Sequence, residues 1–273
     1  GSLRIEPRSW MTTLWSFRKT TNHLGFTAIA RLCHDTFFHK GTGPTDPWFN
    51  EALIRLPVFL AGWGALLALL WAARVWHLGA GCSAVFLVLH PWFTRFAVDG
   101  RAYGLVLLFV PLLLGLMGQG IHTGRWRWWL LYGFVEFLMF WSYFGSVYLL
   151  ITMNVAALGL MSTDADRKPD RWVLISRWLT GNVFALMLVV GMMAPCWPQL
   201  FEFLEKAPLS APLDAAWAKD VVSYVLLGTP WTTWDRGNPL CDALDKLPGP
   251  LAGVIFAVLS IHVLAGIGRF VLH

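Results

Sequence analysis

Long apolar windows without charged residues recur along this 273-residue chain and constrain its fold more than any other feature. A helix needs about 20 apolar residues to cross a bilayer. Only 14% of the residues are charged, against about 25% in an ordinary soluble domain, and 56% are hydrophobic. So few charges would not cover the surface of a soluble protein, and the composition therefore predicts a membrane protein with many spans. The clearest windows are Leu56–Ala73, Ala102–Gly118, Val183–Trp197 and Leu251–Gly268.

Two further apolar stretches bring the prediction to about seven spans. Ala80–Val98 carries His90 and Arg95 in its second half, so we expect that half to face protein or a cavity. Trp128–Met161 is about twice the length of one crossing, and Ser142–Gly145 predicts a tight turn between two antiparallel helices. The predicted fold class is therefore all-α, a polytopic bundle of transmembrane helices.

Polar stretches divide the chain into four predicted parts. Amphipathic patterns predict interfacial helices over Leu24–Phe38 and Ala215–Leu227, one in each long loop. The parts are an outer-face loop (1–50), the transmembrane bundle (51–197), a second outer-face loop (198–248) and a final transmembrane helix (249–273).

The positions of basic residues predict the orientation. In the predicted topology the short basic loops all fall on one side, and the positive-inside rule makes that side cytoplasmic. The two long loops, the turn at Asp99–Arg101 and Tyr143 then lie on the non-cytoplasmic side. We expect an integral membrane protein of the cell inner membrane, surrounded by lipid. The basic residues on the cytoplasmic side are Arg74, Arg125, Arg127, Arg167, Lys168, Arg171, Arg177 and Arg269.

Charge patterning and missing motifs exclude several classes of function. The net charge is +5, but the basic residues are scattered singly, which argues against a nucleic-acid partner. The chain contains no GxxxxGK[ST], HExxH or GxSxG motif, and its cysteines show no metal-ligand spacing. Nucleotide chemistry, zinc peptidolysis and a nucleophilic serine therefore have no support, and we predict no metal ligands.

The strongest candidate site is the turn before a charge-free span, where Asp99, Arg101 and Tyr103 lie close together. In one interpretation Asp99 caps the helix, Arg101 reaches the lipid headgroups and Tyr103 joins an interfacial aromatic belt. In the other, the helix N-terminus and the Arg101 guanidinium bind a phosphate, and Asp99 acts as a base or holds a cation. Arg95 on the preceding helix favours the second interpretation.

Three further features allow two interpretations each. Asn22 is either a helix N-cap or, together with His23, a group that hydrogen-bonds a phosphate or a sugar in a polar cavity. Glu136 lies inside an apolar stretch, where an ionisable residue is either functional or satisfied by neighbours in the bundle. Asp220, beside Lys219 in the second long loop, belongs either to a solvated helix face or to the site.

Short motifs of distinctive sequence follow one another over most of the chain. They are Thr21–Leu24, Asp46–Trp48, Ile54–Pro57, His90–Phe93, Asp99–Leu105, Ser142–Phe144 and Ala216–Val221. Their order and spacing resemble the membrane domain of GT-C glycosyltransferases of the protein O-mannosyltransferase and aminoarabinose-transferase kind. In that family a TNHP or TNHL segment leads to RLP at the next span, and an RxYGL-type segment opens a later one.

The resemblance implies an enzyme that takes a sugar from a polyprenyl-phosphate carrier. Transfer is expected on the non-cytoplasmic face to a lipid, glycan or protein hydroxyl, usually with inversion. A carboxylate, Asp99 or Glu6, would accept the hydroxyl proton, and Arg101 would stabilise the phosphate with help from Arg95 or His23. No cofactor is certain, although the family leaves room for a divalent cation. The expected substrate-binding residues are Asn22, His23, Arg95, Arg101, Tyr103 and Asp220.

The chain departs from the family at both ends. The family's catalytic carboxylate follows a first transmembrane helix that this sequence lacks, and its members run longer at the C-terminus. We therefore expect a fragment, inactive on its own unless Glu6 replaces that carboxylate. The alternative is a non-enzymatic transporter, lipid flippase or assembly scaffold, which Glu136 and His262 would support. Polar groups gathered at one interface, rather than at the midplane, favour the transferase.

Overall fold

The computed structural model describes residues 9–16, 23–37, 50–162 and 170–206, together with Val254 and Ile261. The chain divides into two compact units, residues 1–209 and 210–273. The described part of the first unit is helical and contains no strand, which confirms the all-α prediction for these residues. Its α-helices are α1 (Trp10–Trp15), α2 (Leu24–Phe37), α3 (Glu51–Val75), α4 (Ala80–Leu89), α5 (Pro91–Val98), α6 (Tyr103–Thr123), α7 (Trp126–Ser142), α8 (Val147–Ser162), α9 (Arg171–Met193) and α10 (Trp197–Lys206).

Four helical segments among the described residues are long and apolar enough to cross a membrane. The predicted windows Leu56–Ala73, Ala102–Gly118 and Val183–Trp197 each overlap one of them. The window Leu251–Gly268 lies almost wholly outside the described residues. The four segments are Glu51–Val75, Tyr103–Thr123, Phe144–Ser162 and Arg171–Glu202.

The apolar stretch Ala80–Val98 is two short helices rather than one. Helix α4 ends at Leu89, and His90 adopts an extended conformation with φ −73° and ψ 124°. Steric clash with a proline ring drives the preceding residue out of the helical region, and Pro91 then opens α5 at a position where its missing N–H costs nothing. The ten residues of α4 extend about 15 Å, half the thickness of a bilayer core.

The turn predicted within Trp128–Met161 is present. Helix α7 ends at Ser142, Tyr143 is extended, and a short 3₁₀ turn over Phe144–Ser146 leads into α8. The Tyr143 amide donates to the Met139 carbonyl and so closes the last turn of α7. This break leaves Tyr143 outside both helices.

The second long loop of the prediction begins with a helix. Helix α10 runs over Trp197–Lys206, so the boundary proposed between residues 197 and 198 falls inside it. The interfacial helix expected over Ala215–Leu227 lies outside the described residues. A helix is present over most of Leu24–Phe38, since α2 covers Leu24–Phe37.

The core of the first unit forms where α3 packs along α6, α6 against α7, and α7 against α9. Helices α7 and α9 approach most closely at two glycines. A Cβ atom on Gly133 would lie 2.0 Å from the carbonyl oxygen of Gly181, and one on Gly181 would lie 2.3 Å from the Trp129 carbonyl oxygen. Small residues let two helix backbones approach in this way. The large side chains buried in this core include Leu113, Met117, Ile121, Trp129, Tyr132 and Met139.

The two ends of the bundle differ in character. Gly124, in the left-handed conformation with φ 63°, joins α6 to α7 at one end, and Arg177 donates a hydrogen bond to its carbonyl oxygen. The other end holds the start of α6, the end of α7 and the start of α2. The Gly124 end carries more of the described arginines, with Arg55, Arg95 and Arg101 at the other end and five at this one, namely Arg74, Arg125, Arg127, Arg171 and Arg177.

One polar network lies inside the bundle, where α7, α8 and α9 meet. The Asn154 amide donates to the Glu136 carboxyl at 2.5 Å and to the Leu150 carbonyl at 2.9 Å. The Trp178 indole N–H donates to the Asn154 side-chain oxygen at 2.8 Å. Glu136 is only 4% exposed. Asn154 therefore satisfies Glu136, which favours a structural role for this carboxyl group.

Replacing Asn154 by alanine is expected to destabilise the bundle by about 1–2 kcal/mol, because it leaves the Glu136 carboxyl and the Trp178 indole without their partner. The measurement is thermal unfolding of the purified protein in detergent. Asn182→Ala is the matched control, because the Asn182 amide donates to the Trp178 carbonyl of its own helix at 3.0 Å and, among the described residues, joins no network between helices. Equal melting temperatures for the two variants would contradict this role of Asn154.

Candidate functional site

His23 lies at the entry to α2, at the same end of the bundle as the start of α6. Its carbonyl oxygen accepts hydrogen bonds from the Thr27 amide at 2.8 Å and the Thr27 hydroxyl at 2.9 Å. Gly25, two residues later, packs against the end of α7, since a Cβ there would lie 2.7 Å from the Ser142 hydroxyl oxygen. These contacts hold the half-buried His23 beside the junction between α7 and α8.

The predicted Asp99–Tyr103 turn connects α5 to α6. Arg55, of the RLP motif, donates to the Val98 carbonyl at 3.2 Å, and its side chain lies against Gly100. The Arg101 amide donates to the Asp99 carbonyl at 2.6 Å. The Asp99 carboxylate lies 3.7 Å from Nε of Arg101, and the Arg101 side chain is 64% exposed. The guanidinium therefore has most of its donors available to a ligand.

Tyr103 is the first residue of α6, and the close packing of that helix positions it. A Cβ atom on Gly104 would lie 2.8 Å from the Phe96 carbonyl oxygen, so α6 begins in direct contact with α5. The Tyr103 ring contacts the rings of Phe96, Tyr143 and His23, with centroid distances of 4.8, 5.1 and 5.7 Å. The ring centroids of His23 and Tyr143 are also 5.4 Å apart. Each of the three rings therefore packs edge-to-face against the other two, in a cluster of His23, Tyr103 and Tyr143.

A cavity of about 630 Å³ opens beside this cluster. Its size lies within the range of about 300–1,000 Å³ that is typical of small-molecule sites. The wall combines a cation, an imidazole and two phenols with the apolar surface of Phe26. The lining residues are His23, Phe26, Thr27, Gly100, Arg101, Tyr103 and Tyr143.

The surroundings change the protonation of two of these groups. Burial lowers the pKa of His23 below its ordinary value of 6.5, and the positive charge of Arg101 lowers it further. Burial also raises the pKa of Tyr143, and the neighbouring Tyr103 adds to this through its charge and a hydrogen bond. At neutral pH the cavity wall therefore holds a neutral imidazole, a protonated phenol and an arginine cation.

The structure brings three of the predicted site residues together. His23, Arg101 and Tyr103 line the cavity, and Asp99 lies next to Arg101 without lining it. Arg95 is also absent from the lining, and its guanidinium carbon lies 5.9 Å from the Phe96 ring centroid. The other predicted site residues, Glu6, Asn22 and Asp220, lie outside the described residues.

Four residues that line the cavity were not among the expected binding residues, namely Phe26, Thr27, Gly100 and Tyr143, and Tyr143 is the one with an ionisable side chain. It belongs to one of the family-like motifs, Ser142–Phe144, and it occupies the break between two long apolar helices. A polar aromatic residue at such a break lies at the end of a bundle, where it can face a cavity. The position of Tyr143 at this break is therefore the sequence feature from which its place in the cavity could have been predicted. The contacts of Tyr143 with His23 and Tyr103 depend on packing between distant segments.

The described residues do not provide a donor set for a bound cation, since no three His, Cys, Asp or Glu side chains among them form a group that could hold a metal ion. What the cavity offers instead is hydrogen-bond donors and a cation, which suit an anionic ligand. Comparisons of the chain with protein-family models, with curated proteins and with solved structures found no match.

Proposed function

We propose that the protein is a membrane-embedded glycosyltransferase of the GT-C kind, which moves a sugar from a polyprenyl-phosphate carrier to a lipid, glycan or protein hydroxyl. The observation that carries the proposal is the convergence of His23, Arg101 and Tyr103 on one cavity. These residues belong to the TNHL and RxYGL motifs, which lie far apart in the sequence. A scaffold without a ligand has no need to gather them.

The charge at the cavity suits a phosphodiester donor. Arg101 presents a largely exposed guanidinium at the start of α6, whose N-terminal end carries a partial positive charge. As the bond between the sugar and the phosphate breaks, negative charge grows on the leaving phosphate. A fixed cation at that position stabilises the transition state more than the ground state.

The position of the cavity suits a substrate dissolved in lipid. It lies at the ends of membrane-length helices, where the phosphate of a lipid carrier would meet the headgroup layer. Five described arginines stand at the opposite end against Arg55, Arg95 and Arg101 at the cavity end, and by the positive-inside rule the end with more of them is cytoplasmic. The proposal therefore places the cavity on the non-cytoplasmic face of the inner membrane. We also propose that the chain crosses the membrane about seven times and that α2 lies at the membrane interface.

We expect membranes that contain the full-length protein to move radiolabelled sugar from a polyprenyl-phosphate donor to an acceptor. Transfer should require the polyprenyl-phosphate-linked sugar and should not occur from a nucleotide sugar, since the chain has no nucleotide-binding motif. The assay measures label in the acceptor fraction after extraction of the lipid donor. Matched membranes without the protein provide the background, and label at that level would refute the proposed function.

A non-enzymatic transporter, flippase or scaffold is the alternative. Glu136 is the described residue that would support transport, because ionisable groups near the midplane mark ion and substrate pathways. In the structure Glu136 accepts a hydrogen bond from Asn154 in the packed interior of α7, α8 and α9. That environment favours structural stabilisation, and it leaves the end cavity as the better candidate for function.

A further inference from the structure

The cavity wall has an aromatic side as well as a cationic one. Tyr103 and Tyr143 line it together with Arg101, and each phenol has a hydrogen-bond donor and an acceptor. We propose that these two tyrosines bind the sugar of the donor, next to the phosphate subsite at Arg101, and that the Tyr143 hydroxyl hydrogen-bonds one hydroxyl group of that sugar. This inference rests on the proposed function and assigns Tyr143 as a substrate-binding residue.

The first argument is the geometry of the two phenols. Their ring centroids are 5.1 Å apart with an interplanar angle of 67°, and the His23 ring packs edge-to-face on both. The rings are therefore held in place before a ligand binds, which lowers the entropic cost of binding. A tyrosine combines an apolar ring with a polar tip. That combination suits a sugar, whose surface alternates between C–H and hydroxyl groups.

The second argument is the covalent structure of the donor. The anomeric carbon of the sugar is bonded directly to a phosphate oxygen, so the sugar ring occupies the space next to the phosphate. Tyr103 follows Arg101 by two residues at the start of α6, and the Tyr143 ring adjoins that of Tyr103. A phosphate bound at Arg101 therefore brings the sugar to this polar aromatic wall. The polyprenyl chain is hydrocarbon and suits the lipid instead.

The third argument is the space that Gly145 leaves for the Tyr143 phenol. A Cβ atom on Gly145 would lie 2.6 Å from the hydroxyl oxygen and 2.6 Å from Cζ of Tyr143. The Tyr143 side chain thus lies over the 3₁₀ turn Phe144–Ser146 that follows it. Because the clash involves the tip of a side chain, Gly145→Ala displaces the phenol without shifting the backbone. This variant moves the hydroxyl group, whereas Tyr143→Phe removes it.

The test compares a probe that carries the sugar with one that lacks it. Membranes with the full-length protein receive polyprenyl-phosphate mannose, polyprenyl-phosphate glucose or polyprenyl-phosphate aminoarabinose, and the donor that the wild type consumes gives kcat/KM. Sugar-free polyprenyl phosphate then serves as a competitive inhibitor. Its inhibition constant measures binding at the phosphate subsite alone.

Tyr143→Phe should lower kcat/KM for the donor about tenfold and leave the inhibition constant of polyprenyl phosphate unchanged, because only the contact with the sugar is lost. Gly145→Ala should show the same pattern. Arg101→Ala should raise the inhibition constant of polyprenyl phosphate about tenfold or more, since the guanidinium binds the phosphate. Tyr148→Phe is the matched control, because Tyr148 is 76% exposed on α8 and does not line the cavity, and it should give wild-type values.

Donors in which one sugar hydroxyl is replaced by hydrogen separate binding from structure. The wild type should use the deoxy donor that lacks the contacted hydroxyl about tenfold less well than the parent donor, because the Tyr143 hydroxyl loses its partner. Tyr143→Phe should use this deoxy donor as well as the parent donor, since the interaction is already absent. A merely structural role of Tyr143 would lower both rates alike and keep their ratio.

Two kinds of failure can be told apart. If folded Tyr143→Phe weakens binding of polyprenyl phosphate by the same factor as it lowers kcat/KM, Tyr143 does not bind the sugar, and the transferase assignment stands. The same holds if this variant discriminates against every deoxy donor as the wild type does. If the wild type moves no sugar from any of the three donors, the proposed function fails and the inference fails with it. Elution volume and melting temperature establish whether each variant is folded.

Discussion

Replacement of Arg101 by alanine is expected to lower the rate of sugar transfer about 1,000-fold or more, since it removes the cation that faces the leaving phosphate. The side chain is 64% exposed and lines the cavity without supporting the core, so the variant should fold normally. The measurement is kcat/KM with a polyprenyl-phosphate sugar, using full-length protein in membranes. The loss should appear mainly in kcat, because the charge develops in the transition state.

Two further variants control this experiment. Arg101→Lys keeps the charge but lacks the planar fork of the guanidinium, and it should recover only part of the rate. Arg127→Ala removes another exposed arginine at the Gly124 end, where it lies near the Trp128 ring, and it should transfer at the wild-type rate. An Arg101→Ala rate as high as that of Arg127→Ala would remove Arg101 from the mechanism.

Replacement of Gly133 by alanine is expected to prevent normal packing of α7 on α9. The added Cβ would lie 2.0 Å from the Gly181 carbonyl oxygen, and this backbone atom cannot move aside without shifting the helix. Overpacking of this kind costs about 1–3 kcal/mol where side chains can adjust, and we expect at least about 3 kcal/mol here. Thermal unfolding in detergent and the fraction of monomer on size exclusion measure the effect.

Gly159 offers a matched control in the neighbouring helix α8. A Cβ there meets nothing within 4 Å, so Gly159→Ala changes the same atoms in open space. Its melting temperature should equal or slightly exceed that of the wild type, because alanine favours a helix by about 1 kcal/mol over glycine. If the melting temperature of Gly133→Ala equals that of Gly159→Ala, the close approach of α7 and α9 does not exist.

Much of the helix layout was predictable because it depends on local properties of the chain. An uninterrupted apolar window makes a long helix, and the polar tetrad at Ser142–Gly145 marks the break between α7 and α8. The break before Pro91 also has a local cause, because a proline disfavours the helical conformation in the residue before it, although the apolar stretch alone suggested one helix there. Helix α10 was missed because a short segment with charges and a proline looks like the start of a loop.

The candidate site was predictable in its residue types and less so in its geometry. His23, Arg101 and Tyr103 were expected at one end of the bundle, and they line one cavity. That Tyr143 completes the cluster depends on how α2, α6 and α7 pack. Gly25 and Gly104 control that packing, because a side chain at either position would separate the helices that carry these groups.

The sequence by itself determined that the chain is helical, where its long apolar helices lie and which polar groups stand at their ends. Hydropathy and proline act over a few residues, so these properties need no knowledge of distant contacts. Only the tertiary structure decided which ends meet. A neutral imidazole beside a guanidinium results from burial and from the meeting of His23 and Arg101, which lie far apart in the chain.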